Sequence, residues 1–247
     1  MNVSNWDPRI AIIIPAYNEG PVIQSVLRDI IEDGIQAVQA SLPGAVCELV
    51  VVDDGSSDET SQEVANLQAD NLPIHLLRHL LNLGQGAALT TGIQYALGQS
   101  AQIIVTFDAD GQHEPTDLAR LIAPVAAREV DVALGSRFLA GASEVPFRRR
   151  ALLKLAIFFT GLTDNIWLSD AHNGLLAFSA DAIRQINITQ NRMAHASEIV
   201  REISRLKLRY VEVPVQVHYT DYTRRKGQRA SDAINILLEL IEDRIHF

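Results

Sequence analysis

Residues 103–114 read IIVTFDADGQHE, an apolar run suited to a buried strand that ends in two aspartates one residue apart. The same order, an apolar run followed by a polar cluster, occurs at RIAIIIPAYNE (9–19) and ELVVVDDGSSD (48–58). Short runs of Val, Ile and Leu that are apolar at almost every position are typical of strands buried on both faces. The pattern indicates a parallel sheet with polar groups gathered at one edge.

Five apolar runs alternate with segments whose apolar residues have helical spacing. We predict parallel strands at 9–14, 48–54, 73–78, 102–108 and 130–136. We predict helices at 21–40, 58–69, 85–98 and 115–128, with Ser57 or Asp58 capping the second and Pro115 in the first turn of the fourth. The alternation predicts an α/β, doubly wound fold, in which ligands bind beyond the carboxyl ends of the strands.

After residue 140 the alternation weakens, and the predicted elements are more varied. They are a basic-to-apolar helix at 146–162, a strand at 174–180, a helix at 192–208, a period-two strand at 209–219 and a packing helix at 230–246. Pro214 places the 209–219 strand at the edge of the sheet, because proline cannot donate to a neighbouring strand.

Composition limits the possible classes of protein. With 247 residues, of which 47% are hydrophobic, the chain can bury a core as one large domain or two coupled halves. A single cysteine, Cys47, excludes an intramolecular disulfide, and we expect a soluble, cytoplasmic protein without a signal peptide.

The two parts of the chain differ in charge. Residues 1–140 hold 6 Lys+Arg against 18 Asp+Glu, whereas 141–247 hold 15 against 12. An acidic half is suited to binding a metal ion, and a basic half is suited to binding an anionic partner. We do not expect nucleic acid to be that partner, because the basic residues are not accompanied by a recognisable binding motif.

The aspartates of the opening stretch are candidate metal ligands. Asp108 and Asp110 would point the same way in a continuing strand, and a turn at Gly111 would bring Gln112 close to them. Two carboxylates and an amide carbonyl are hard oxygen ligands that suit Mg²⁺ or Mn²⁺. A solvated acidic turn is the alternative. An EF-hand does not fit, because its sixth and twelfth positions would be His113 and Ala119.

Taken in order, several stretches resemble family 2 of the inverting nucleotide-sugar glycosyltransferases. They are IIIPAYNE, VVDDGSSDET, NLGQGAA, VTFDADGQHEP, ALGSRF, SDAHNGLLAFS and VEVPVQVHYTDYTRRKGQ, and they cover most of residues 10–228. The run is most similar to the dolichyl- and polyprenyl-phosphate sugar (mannosyl)transferase branch. The resemblance implies a single GT-A domain with a mostly parallel sheet: a nucleotide-sugar and metal half (about 1–140, the donor half), an acceptor half with a basic loop (about 141–228), and a C-terminal helix (229–247).

The resemblance also implies roles for individual residues. The nucleoside pocket would be lined by Pro15, Tyr17, Glu19, Asp53 and Asp54. The metal, Mg²⁺ or Mn²⁺, would be held by Asp108, Asp110 and Gln112. The donor phosphates would meet Asn82, Gly84, Gly86 and the loop cations Arg224, Arg225 and Lys226. Arg137 would approach the phosphates or the sugar, and Asp170 would lie beside the sugar. Gln85 stands where the family often has lysine, which weakens the expectation for the phosphate contacts.

The implied reaction transfers a sugar from a nucleoside-diphosphate sugar to a polyprenyl-phosphate or glycan acceptor, with inversion, in cell-envelope glycan biosynthesis. A hydroxyl acceptor would need a base, for which Asp170 and Glu198 are the candidates, whereas a phosphate acceptor needs less help. Two alternatives stay open: a nucleotidyltransferase that makes sugar nucleotides, and a nucleotide-sugar-binding module without turnover.

The acceptor side has a candidate membrane contact. Arg148, Arg149 and Arg150 precede the apolar stretch LLKLAIFF (152–159), and Lys154 lies within it. The stretch is too short to span a bilayer but suits its headgroup boundary. The expected location is therefore the cytoplasm, with peripheral attachment to the inner face of the membrane directly or through a membrane protein. A core helix with a solvated basic entrance is the competing interpretation.

Overall fold

The computed structural model describes residues 7–70, 72–139, 166–170, 173–191 and 195–218. Its strands are β1 (Arg9–Ala16), β2 (Val46–Asp53), β3 (Ile74–Arg78), β4 (Ile103–Thr106), β5 (Val132–Ser136), β6 (Leu176–Ser179) and β7 (Tyr210–Pro214). Its helices are α1 (Ile23–Asp29), α2 (Gln36–Ser41), α3 (Thr60–Ala69), α4 (Gln85–Gly98), α5 (Asp117–Ala126), α6 (Ala180–Ile183) and α7 (His195–Arg205). The predicted segments 146–162 and 230–246 lie outside the described residues.

The seven strands form one mixed sheet in the order β3-β2-β1-β4-β6-β5-β7. The pairs β1–β2, β1–β4, β2–β3 and β5–β7 are parallel, whereas β6 runs antiparallel to both β4 and β5. The mostly parallel α/β fold is therefore confirmed, and β7 is an edge strand with Pro214 as its last residue. Sequence order alone did not reveal that β6 separates β4 from β5.

The core lies on both faces of this sheet, which explains why the strands are apolar at successive positions. In β1, Ile10, Ile12 and Ile14 belong to one apolar cluster, and Ala11 and Ile13 belong to the other. Residues of α1, α2, α3 and α5 cover the first face, and residues of α4, α6 and α7 cover the second. Full burial of an isoleucine side chain contributes about 1.5–3 kcal/mol, so the unbroken run of β1 is a main source of stability.

Three local features differ from the sequence prediction. A π-helical stretch at Ile30–Ile35 joins α1 to α2 within the predicted 21–40 helix. Glu59, and not Ser57 or Asp58, occupies the N-cap position of α3, although Asp58 Oδ1 accepts a hydrogen bond from Thr60 N at 3.0 Å. Pro115 precedes α5, whose N-cap is Thr116, because the Asp117 and Leu118 N–H groups first close a turn on Glu114 and Pro115.

Strand β4 ends at Thr106, two residues before the position predicted from the sequence. Its antiparallel neighbour β6 begins at Leu176, which pairs with Thr106. Asp108 and Asp110 therefore lie in the turn after the strand, and the prediction that a continuing strand aligns them is wrong. What brings them together is the turn itself, with Gly111 at φ +73°.

The single cysteine is shielded on β2. Cys47 is 7% exposed, and burial raises the pKa of its thiol to about 11. Only the thiolate reacts readily, so at pH 8 we expect Ellman's reagent to modify the native protein about 100-fold more slowly than the urea-unfolded chain. The measurement is the rate of thionitrobenzoate release, with the unfolded chain as its control. Equal rates in the two states would contradict this placement of Cys47.

Candidate functional site

The polar clusters that follow β1 and β2 are joined to each other by hydrogen bonds. Asn18 N donates to Ser56 Oγ at 2.9 Å, and Glu19 N donates to Thr60 Oγ1 at 2.8 Å. Pro15 is buried near the end of β1, Tyr17 is 44% exposed, and Glu19 is buried. The residues predicted to line the nucleoside pocket therefore surround one shared turn at the carboxyl edge of the sheet.

Asp53 and Asp54, at the end of β2, are almost fully buried and hold this edge together. Asp53 Oδ1 accepts from Ser56 N at 2.9 Å, and its other oxygen accepts from the Ser61 hydroxyl. Asp54 accepts from Leu83 N at 2.9 Å and Gly84 N at 2.7 Å. It also contacts His79 Nδ1 at 2.7 Å. Asp54 thereby fixes both ends of the 79–84 loop, a function that sequence reasoning missed.

The two candidate phosphate-binding glycines have internal partners. Gly84 N donates to Asp54, and Gly86 N donates to Asn191 O at 2.9 Å. A Cβ on Gly86 would lie 2.0 Å from Gln190 O, so only glycine fits here. In this structure neither N–H group is free for a donor phosphate, whereas Asn82, two residues before Gly84, is exposed. Contacts of all three with a donor stay a prediction.

The aspartate turn after β4 forms the centre of the site. Asp108 Oδ1 accepts from Gln85 Nε2 at 2.9 Å, and its Oδ2 lies 3.2 Å from His113 Nε2. Asp110 accepts from Gln112 N at 3.0 Å and from Gln112 Nε2 at 2.8 Å. Gln112 therefore turns its amide nitrogen toward Asp110. Gln85 and His113 are contacts of Asp108 that the sequence did not assign; the position of His113 inside the motif was the available signal.

The electrostatics of the two aspartates differ. Desolvation disfavours charge on Asp108, but the hydrogen bond and charge of His113 hold its pKa below the ordinary value. Desolvation and then the neighbouring Asp108 carboxylate raise the pKa of Asp110 to about 6. Two carboxylates that repel each other in a partly buried turn are stabilised when a cation binds close to both. Their hard oxygens fit Mg²⁺ or Mn²⁺. Within the described residues no group of three or more His, Cys, Asp and Glu side chains forms a ready metal cage.

The acceptor half meets this turn through residues 173–174. Thr106 Oγ1 donates to Gly174 O at 2.6 Å, and a Cβ on Gly174 would lie 2.1 Å from Asp108 Oδ2. The close approach requires glycine. Asp170 is four residues away along the chain, so its Cα lies within about 14 Å of that of Gly174. In the described part of the chain, the buried Asn173 Nδ2 and His113 Nδ1 atoms have no hydrogen-bond partner.

Arg137 and Asp170 form a buried ion pair beyond the end of β5. Arg137 Nε lies 2.6 Å from Asp170 Oδ2, and the Arg137 backbone N–H donates to the same oxygen at 3.2 Å. Their side chains are 9% and 1% exposed. The structure thus brings together two residues that the sequence assigned separately to the sugar side of the site.

Glu198, the other candidate base, has a different environment. Its carboxylate accepts from Thr189 N and Gln190 N, both at 2.9 Å, and from Thr189 Oγ1 at 2.5 Å. The carboxylate therefore holds the 189–190 segment, whose neighbour Asn191 packs on the start of α4. Its assignment as a base stays a prediction. The predicted loop cations Arg224, Arg225 and Lys226 lie outside the described residues.

The last described residues of the chain, 217 and 218, contact the aspartate turn. His113 and Val217 form an antiparallel bridge, and His218 N donates to Gln112 O at 2.7 Å. His218 Nε2 also lies 3.2 Å from Glu114 Oε2. Residues 217 and 218, the second of them six residues before Arg224, therefore lie against the candidate metal turn.

The chain thus has a mostly parallel sheet with paired aspartates after β4 and an Arg–Asp pair after β5. The chain belongs to glycosyl transferase family 2, whose family model matches residues 11–187. It is 29% identical over 254 residues to the UDP-N-acetylglucosamine–dolichyl-phosphate N-acetylglucosaminyltransferase of Methanococcus voltae, covering 95% of this chain and 96% of that protein. It is also 29% identical over 215 residues to the undecaprenyl-phosphate mannosyltransferase of Micrococcus luteus, covering 84% and 82%.

Among solved structures, the chain is similar to glucosyl-3-phosphoglycerate synthase from Mycobacterium tuberculosis in complex with Mn²⁺, UDP and glucosyl-3-phosphoglycerate. The TM-score is 0.59 at 20% sequence identity, covering 94% of this chain and 79% of that one. This likeness confirms the GT-A fold. Family membership and the named relatives confirm the expected family branch and the glycosyltransferase class. Among the described residues, no helix is both long and apolar enough to cross a bilayer.

Proposed function

We propose that the protein transfers a sugar from a nucleoside-diphosphate sugar to a polyprenyl phosphate, with inversion and with a divalent metal ion. The observation that carries the proposal is the close approach of Asp108, in the aspartate turn, to the acceptor half at Gly174. The names of the relatives support the lipid-phosphate acceptor, and the Mn²⁺ and UDP named for the structural neighbour support the metal and the donor.

The donor is expected to lie along the carboxyl edge of β1, β2 and β4. Tyr17 and Glu19 would border its nucleoside, and Asp108 and Asp110, with Gln112 adjacent, would hold Mg²⁺ or Mn²⁺. When bound, the metal supplies positive charge that stabilises the leaving diphosphate. Gln85 and His113 orient Asp108 by their contacts with its two oxygens. Arg137 would add a fixed cation near the reacting sugar.

The acceptor is inferred from the state of the candidate bases. Asp170 Oδ2 is engaged by Arg137, and both oxygens of Glu198 accept hydrogen bonds from the 189–190 segment. A hydroxyl acceptor would need one of them to take its proton. A phosphate monoester, with a second pKa of about 6, already carries a nucleophilic oxygen at neutral pH. In one displacement this oxygen bonds to the anomeric carbon as the bond to the diphosphate breaks.

The deciding experiment is a transfer assay with a matched acceptor pair. The protein and Mn²⁺ are incubated with UDP- and GDP-sugars in the presence of undecaprenyl phosphate or undecaprenol. We expect nucleoside diphosphate release and a glycolipid with the phosphate only, and NMR of the anomeric proton should show inversion. Transfer to undecaprenol, retention of configuration, or no transfer with any donor would contradict the proposal.

The shared donor and metal site has a thermodynamic consequence. A nucleoside diphosphate and Mn²⁺ that bind beside each other should each increase the affinity for the other. We expect UDP or GDP together with Mn²⁺ to raise the Tm by more than the two separate increments combined, because ligands that bind only the native state stabilise it by mass action. Differential scanning fluorimetry measures this. Uridine or guanosine with Mn²⁺ is the control, and strictly additive shifts would reject a shared site.

A further inference from the structure

We infer that Glu212, on edge strand β7, is the residue that positions the Arg137–Asp170 pair for sugar transfer. Neither the family resemblance nor the relatives assign it a role, and the inference rests on the proposed function of that pair. Its basis is one set of hydrogen bonds that joins β7 to the segment carrying Asp170.

The Glu212 carboxylate accepts hydrogen bonds from three donors on two consecutive residues. Ser169 N lies 2.8 Å and 2.9 Å from the two oxygens, Ser169 Oγ lies 2.7 Å from Oε1, and Asp170 N lies 3.2 Å from Oε1. Two backbone N–H groups and a hydroxyl, all neutral, therefore converge on one charge. Such charge-assisted hydrogen bonds are stronger and more directional than neutral ones.

The segment 166–170 is also attached to the end of β5. Ser136 Oγ and Ser169 Oγ lie 2.6 Å apart, and Arg137 follows Ser136 directly. In the sheet, Glu212 is paired with Leu134, and because β5 and β7 are parallel, their carboxyl ends are adjacent. Glu212 from one strand and Ser136 from the other therefore hold Ser169 between them, which fixes the backbone from which Asp170 reaches Arg137.

The charge of Glu212 also bears on how Asp170 is used. Glu212 accepts the backbone N–H of Asp170, while the side chain of Asp170 accepts from Arg137. Replacing the carboxylate by an amide substitutes a donor for an acceptor and leaves at least one N–H group facing another donor. Glu212→Gln should therefore hold residues 169–170 less tightly, through a neutral oxygen at the Oε1 position, while it keeps the size of the side chain.

The expected kinetic effect resembles that of residues which orient a metal ligand or a base, where substitution lowers activity about 10- to 100-fold. We expect Glu212→Gln to lower kcat by about that factor, with the donor KM changed by less than about 3-fold. In an Asp170→Asn background, the same substitution should lower kcat by no more than about 2-fold, because residues that act through one another are not additive. Independent, multiplicative losses would overturn the inference.

Asp131→Asn provides the matched control. Asp131 bonds Arg209 at the opposite end of the β5–β7 pair, with the Arg209 backbone N–H donating to Asp131 Oδ2 at 2.8 Å. This variant loosens the same two strands away from the site, so it should keep its turnover. If it loses turnover as Glu212→Gln does, strand stability and not positioning explains the effect.

A second readout does not depend on turnover. Hydrogen exchange followed by mass spectrometry should show faster exchange in Glu212→Gln for a peptide that contains Ser169 and Asp170, and unchanged exchange for β1 and β2. Unchanged protection of residues 169–170 would overturn the inference even if no acceptor were found. If the wild type transfers sugar and Glu212→Gln does so equally well, the inference fails while the proposed function stands.

Discussion

Asp110→Asn is expected to lower metal-dependent sugar transfer by about 1,000-fold or more, which corresponds to about 4 kcal/mol in the barrier. The substitution keeps the shape of the side chain but removes one of two negative charges from the turn. In the proposed shared site, metal and diphosphate support each other's binding, so both should weaken together. The measurement is the rate of nucleoside diphosphate release as Mn²⁺ is titrated.

The same variant should keep its fold, and the direction of its change in stability follows from the pKa of Asp110. That pKa is raised from 3.8 to about 6, so at pH 7 ionisation of Asp110 disfavours the folded state in the absence of metal. A neutral side chain removes this cost, and the Tm without metal should be equal or higher. Asp181→Asn, at a side chain that is 94% exposed, is the control and should keep full activity. A fully active Asp110→Asn protein, or wild-type activity in excess chelator, would reject the metal site.

Arg137→Ala is expected to reduce both turnover and stability. Removing the guanidinium leaves the Asp170 carboxylate buried without its cation, and breaking a buried pair in this way costs about 3–5 kcal/mol. Loss of the fixed positive charge that we propose lies near the reacting sugar should lower kcat by about 100- to 1,000-fold. Urea unfolding and the transfer assay measure the two effects separately.

Two further variants separate charge from geometry at this pair. Arg137→Lys keeps the charge but cannot place an Nε–H group on Asp170, so it should recover part of the stability and little of the turnover. Arg209→Ala removes an exposed arginine from the other end of β5 and should leave turnover unchanged. An Arg137→Ala protein with wild-type unfolding and turnover would refute the importance of the pair.

The sequence predicted the sheet well, because the strands buried on both faces are apolar at almost every position. Ile10 to Ile14 is such a run, and β1 contains it entirely. It could not predict where β6 inserts, since Leu176–Ser179 is equally suited to a parallel or an antiparallel neighbour. It also overestimated the length of β4, because a strand ends where its pairing with a neighbouring strand ends and not where its apolar residues end.

At the site, the sequence located the residues but not their contacts. Asp54 and Glu198 were expected to face ligands, whereas the structure shows each carboxylate accepting hydrogen bonds from nearby loops. A carboxylate that binds a ligand and one that pins a loop have the same signature in a sequence. Glu212 was missed for a related reason: within the period-two pattern of β7 it looks like an ordinary solvent-facing residue.

The position of β6 restricts how this enzyme can be re-engineered. The order β1-β4-β6-β5-β7 interleaves strands from before and after residue 140, so a cut at that residue would separate β6 from both of its hydrogen-bonded neighbours. In a chimera that exchanged everything after residue 140, a β6 from another protein would have to pair with β4 and β5 of this chain in the middle of the sheet. Substrate preference should therefore be easier to transplant by swapping the loops at the carboxyl edge of the sheet than by exchanging one part of the sheet.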